Sequence, residues 1–213
     1  MSNERGDAMA HRLRRAAARS EIAAPDIARI VNAFGFALDL RSRVLRDPQH
    51  PAILHTGRTA LILLEDLEYA DADALALAAL FESRTGELMA DPDSIRTLAG
   101  ERAAELAASL PVKVDADQAE DGPADRREDA GEDLLLETLL GAETAAVIVA
   151  ISERLDHARH LHLEPRPEWA PFHTTFAAVY VPVAERTHPR LGRRCRWWSD
   201  MFAKKYLARP SPR

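Results

Sequence analysis

Residues 145–161 read Ala145-Ala146-Val147-Ile148-Val149-Ala150-Ile151-Ser152-Glu153-Arg154-Leu155-Asp156-His157-Ala158-Arg159-His160-Leu161. The run opens with uninterrupted apolar residues, and Ile148, Ile151, Leu155 and Ala158 then recur at spacings of three and four. That period is helical: apolar on all sides at first, two-faced afterwards. The reading is a central buried helix that must abruptly accept charge at Ser152-Glu153, and burying charge is costly unless it is paired. A functional site is therefore expected at this junction. The plain alternative is that Glu153, Asp156, His157 and His160 form a solvated face.

Outward from this run the same period continues and strand-like alternation is nearly absent, so the predicted fold class is all-α, a compact multi-helix bundle. Helices are expected over Asp7–Arg19 and after Ala24, where Pro25 suits a first turn and Ile27, Ile30, Val31, Phe34 and Leu38 share a side. Asp47-Pro48 and Pro51 end the second. Further helices are predicted over His55–Leu67, Asp73–Phe81 capped by Asp71 or Asp73, Asp93–Leu98 and Gly100–Ser109, with Gly86 as a terminator. Two more follow, over Phe172–Glu185, where Pro182 implies a kink or early end, and over Leu191–Leu207.

Residues 115–133 are acidic, contain Gly and Pro and lack large apolar side chains, which reads as a mobile loop within the domain. The expected organisation is a basic N-terminal helix or tail over 1–24, a helical domain over 25–190, and a basic, Trp-containing C-terminal helix over 191–213 packed on it.

The chain has 213 residues, 46% of them hydrophobic, enough for one sizeable core. Its net charge of -6 argues against whole-surface attraction to nucleic acid, although basic residues gather at both ends. No apolar run approaches the roughly 20 residues that cross a bilayer, and the N-terminus is polar and Arg-rich, so no membrane association and a cytoplasmic address are expected. Cys195 is the only cysteine, which excludes an intrachain disulfide and a Cys-cluster zinc site. Chemistry must then come from His, carboxylates, hydroxyls or Arg.

A His at a helix start, polar residues at the end of the next helix and an acid emerging from a buried helix can converge on a metal, and these residue types suit zinc, manganese or iron. Here they are His55, Glu82-Ser83 and Glu153. Pro51-Ala52-Ile53-Leu54-His55 leading to Ala60-Leu61-Ile62-Leu63, then Ala78-Ala79-Leu80-Phe81-Glu82-Ser83, then Val147 to Leu161 resemble, in order, three blocks of the HD-domain phosphohydrolases, in particular the RelA/SpoT-type and small alarmone hydrolases. Upstream, Arg46-Asp47-Pro48 is similar to that family's basic nucleotide-holding run.

The resemblance spans roughly residues 25–163 and implies an HD-type helical domain with His55, Glu82 and Glu153 at metal positions. It further implies Glu87 at a catalytic acidic position, Arg46 and His157 as nucleotide contacts, manganese or another divalent ion as cofactor, and a guanine nucleotide or alarmone as ligand. The family's His-Asp doublet is Glu82-Ser83 here, and its last metal aspartate is Glu153. Ser83 supplies no negative charge, and the extra methylene of Glu153 displaces its carboxylate; a misplacement of about 1 Å can cost roughly a hundredfold in rate.

The leading expectation is thus a catalytically impaired HD-domain protein that acts by binding a nucleotide or a protein partner. An active metal-dependent phosphohydrolase, with Glu87 orienting the attacking water, is the second reading. The third is a structural interaction module using the basic C-terminal helix, where the cluster Arg193-Arg194-Cys195-Arg196-Trp197-Trp198 with Lys204-Lys205 either stacks on bases and grips phosphates or packs its Trp and exposes its Arg.

Overall fold

The apolar run forms a helix, Thr144–His160, in which every residue from Ala145 to Asp156 is buried. The computed structural model describes residues 4–45, 47, 49–82, 90–110 and 134–208, and no strand occurs among them. The class is all-α. In chain order the helices are α1 (Glu4–Arg19), α2 (Ala24–Leu45), α3 (His55–Leu61), α4 (Ala72–Ala78), α5 (Pro92–Ala99), α6 (Glu101–Ala108), α7 (134–141), α8 (Thr144–His160), α9 (Trp169–Thr175), α10 (Val181–Thr187) and α11 (Pro189–Phe202). The predicted loop 115–133, the terminator Gly86 and Ser83 lie outside the described residues.

Helix α8 packs against α3, α4, α10 and α11, so a central element meets neighbours on several sides and has no room for a polar stripe along its first half. α4 is equally enclosed, with Ala74 to Leu80 buried. Its start is set by Asp71, whose side chain accepts from the backbone N–H groups of Asp73 and Ala74. α1 lays Leu13, Ala16 and Ala17 into the core against α2 and α3. On α2 the buried residues Ile30, Phe34, Ala37 and Arg41 continue one stripe, so the side that buries apolar residues also buries a cation.

The helix predicted over Phe172–Glu185 is divided. α9 passes into a π-type turn, Phe176–Tyr180, and α10 resumes at Val181. Pro182 has no N–H and its ring would collide with the carbonyl four residues earlier, and the wider turn before it relieves that contact. α3 likewise runs on through a π-type turn, Ile62–Leu67, until Glu68 turns the chain with φ 55. Around α9 and α11, Phe172, Phe176, Trp198 and Phe202 pack ring against ring. Among the described residues no helix is long and apolar enough to cross a membrane.

Candidate metal centre

The local structure at His55 follows from Pro51. A 3₁₀ turn, Pro51–Leu54, begins where the His50 ring accepts from the Ala52 N–H, and it delivers His55 as the first residue of α3. Glu82 follows the end of α4. Glu153 and His157 stand one turn apart on α8 and therefore share a face. Against the solvated-face alternative, Glu153 and Asp156 are buried, and only His157 and His160 of that face are partly exposed; His55 and Glu82 are buried too.

The groups converge. Each of His55, Glu82, Glu153 and His157 offers a ligand atom, and these atoms all lie within 4.8 Å of one another. His157 Nε2 is 2.8 Å from Glu153 Oε1 and 3.3 Å from Glu82 Oε1, and His55 Nε2 is 3.3 Å from Glu153 Oε1. In a tetrahedral site with bonds of about 2.1 Å, ligand atoms stand roughly 3.4 Å apart. The donor set, three buried groups and the partly buried His157, can therefore hold a divalent ion once its widest separation, up to 4.8 Å, closes.

The surroundings suit it too. His55 Nδ1 lies 2.7 Å from Asp156 Oδ2, and Arg58 holds Asp156 with Nε 2.8 Å from Oδ1 and Nη2 2.8 Å from Oδ2. A carboxylate on Nδ1 fixes the ring and turns Nε2 toward the centre, as in carboxylate–histidine–metal arrangements. Arg41 Nη2 reaches Glu82 Oε2 at 2.8 Å, and both side chains are buried. Arg154 Nε stands 3.6 Å from Glu153 Oε2, with its guanidinium over the Tyr180 ring.

These contacts set the protonation states. Burial alone would lower His55, but its bonds to Asp156 and Glu153 outweigh this and raise it to about 9. Burial would raise Glu82, yet the His157 bond and the His55 charge hold it at about 2. Glu153 and Asp156 are likewise held well below the usual carboxylate range despite burial, Glu153 by His157 and Arg154, Asp156 by His55 and Arg58. Burial lowers Arg41 in spite of Glu82, but a guanidinium starts so high that it stays charged. A divalent ion would take the place of the proton on His55 Nε2.

His55, Glu82 and Glu153 are therefore brought together as the sequence suggests, and His157, expected to contact a nucleotide, contributes its Nε2 to the same cluster. Arg46 and Glu87 lie outside the described residues. Asp156 is legible in the sequence only as part of the face with Glu153, His157 and His160, and Arg58, Arg41 and Arg154 are not singled out there. Asp156 carried a signal, since acids three apart followed by His on a largely apolar helix mark one polar face. Arg41 carried one as well, at the next position of the stripe Ile30, Phe34, Ala37. Arg58 and Arg154 carried none. No protein-family model matches the chain, and no match to it is found among curated proteins.

Proposed function

We propose that the chain is an HD-type helical protein that holds a divalent ion through His55, His157, Glu82 and Glu153 and is catalytically silent, acting by binding. One observation carries this reading: four ligand atoms, from the buried His55, Glu82 and Glu153 and the partly buried His157, converge within 4.8 Å. Four protein ligands complete a tetrahedral shell, whereas catalytic sites leave a position open for water or substrate. Bound there, the ion would supply electrostatic stabilisation and tie α3, α4 and α8 together. The three-block resemblance supplies the ligand class, a guanine nucleotide or alarmone, or else a protein partner. Manganese, iron and zinc are all compatible with an N₂O₂ set.

Charge accounting keeps an active phosphohydrolase as the second reading. Arg41, Arg58 and Arg154 balance Glu82, Glu153 and Asp156. A divalent ion with both His neutral would then leave a buried double positive charge, which an anion such as a phosphate group would neutralise. Metal analysis of protein purified without an affinity tag, as wild type and His55→Ala, tests the first reading. Near-stoichiometric metal in the wild type and none in the variant is expected, with no pyrophosphate release from guanosine tetraphosphate under manganese, iron or zinc. Release that His55→Ala abolishes would replace this reading by the hydrolase. Absence of metal in the wild type after growth with each ion would remove the metal centre.

A further inference from the structure

Helix α11 carries an exposed face unrelated to the buried centre. Its buried residues, Leu191, Cys195, Trp198 and Phe202, recur at three and four and pack on α8 and α10. The opposite side therefore presents Arg190, Arg193, Arg194, Trp197 and Met201, and Lys204 follows in the next turn. Trp197 stands at the middle of that face and is 66% exposed. Its neighbour Trp198 is buried and takes the packing role, so the adjacent pair has divided between core and solvent.

The cations around Trp197 are incompletely balanced. Arg159 and Arg194 share Asp66, at 2.6 and 3.3 Å, and Arg190 reaches Glu68 at 2.6 Å. Arg193 has no carboxylate partner among the described residues. Asp200 also lies on this side of α11. A cleft of about 410 Å³ opens between Asp66, Arg190, Arg193 and Arg194, large enough for a phosphate group. The Arg190 and Arg194 side chains that line it are about half exposed, so their pairs with Glu68 and Asp66 are weak and open to a competing anion.

We propose that this face binds single-stranded nucleic acid, with phosphates in the arginine-lined cleft and a base stacked on Trp197. A positive groove beside an accessible aromatic is the combination that single strands require, because every base has a stacking face and every linkage a charge. A protein partner fits less well. The core of a protein interface is apolar and depleted of charge, whereas Trp197 has cations on both sides and only Met201 as an apolar neighbour on the face. The surface is local, and the overall charge of -6 keeps the rest of the molecule from contributing.

The test is fluorescence anisotropy of labelled dT and rU 12-mers titrated with the full chain at 50 and 200 mM salt. Three to four phosphates neutralised on a single strand give a salt slope of about -2 to -3, so the fourfold salt increase weakens binding roughly 15- to 60-fold. Trp197→Ala lowers affinity at least about fivefold, and Trp197→Phe recovers part of the loss. Arg193→Glu also weakens binding and steepens no other defect, since both side chains are exposed and the thermal midpoints stay unchanged. Absence of binding at 50 mM salt overturns the proposal, as does binding that neither substitution affects. Equal competition by poly-glutamate, lost in Trp197→Ala, would assign the face to an acidic protein instead.

Discussion

Arg41 is completely buried, and its charge is tolerable because Glu82 meets it at 2.8 Å. Its Nε and Nη1 have no hydrogen-bond partner among the described residues, which makes the guanidinium strongly dependent on that one carboxylate. In metal-stripped protein, Glu82→Gln should therefore cost about 3–5 kcal/mol by leaving an uncompensated buried cation. Replacing both residues, as Arg41→Met with Glu82→Leu, should recover most of the loss. Urea unfolding of the single and double variants checks this; a single variant within about 1 kcal/mol of wild type would mean that the pair is not closed in solution.

The same cluster sets an expected pH profile for the metal-stripped protein. Glu82 is depressed to about 2, so its contribution is complete above its ordinary value near pH 4.5 and is lost as the pH falls toward 2. His55 is raised to about 9, so its contribution is complete below about pH 6.5 and is lost as the pH rises through 9. The urea midpoint should therefore plateau between about pH 5 and 6.5 and fall on both sides. A midpoint that still climbs between pH 7 and 9 would contradict the His55 assignment.

At the scale of elements, helix contacts depend on where the backbone approaches most closely. A Cβ at Gly192 would lie 2.6 Å from Glu185 Cα and 2.9 Å from Glu185 N, both backbone atoms that cannot swing aside. Gly192→Ala must push α11 from α10 and should cost at least about 1–3 kcal/mol. Gly35, inside α2, has nothing within 4 Å of a built Cβ. Gly35→Ala should instead stabilise by about 0.5–1 kcal/mol through helix propensity. Thermal melts of the two variants should shift in opposite directions. The start of α4 was legible because Asp71 caps it, whereas α5, expected from Asp93, begins at Pro92 with Asp91 as its cap. The division between α9 and α10 was legible only as a disturbance at Pro182, since whether a helix kinks, ends or widens depends on what packs beside it.

For the whole molecule, Cys195 is a built-in reporter of opening. It is buried between α11 and the core, and burial pushes its thiol up to about 12. At neutral pH it should react with a thiol reagent only when the fold opens, because the thiolate is the reactive form. If opening is global, metal at about 100 times its Kd should slow labelling about a hundredfold. Labelling that metal leaves unchanged would place the opening within α11, away from the centre.

The sequence by itself determined the all-α class, the buried course of α8 and the abrupt entry of charge at Ser152-Glu153, because period and composition are local properties that any packing must respect. It also brought His55, Glu82 and Glu153 forward, through three short blocks read as a resemblance, and these side chains do lie together. Tertiary structure alone decided that His157 turns inward beside them, that Asp156 and Arg58 hold His55, and that Arg41 faces Glu82 from a helix far away in sequence. It alone decided which of Trp197 and Trp198 is buried. Those outcomes depend on which helices meet and at what rotation, and a charge on an apolar face becomes a partner or a penalty only when the opposite side chain is known.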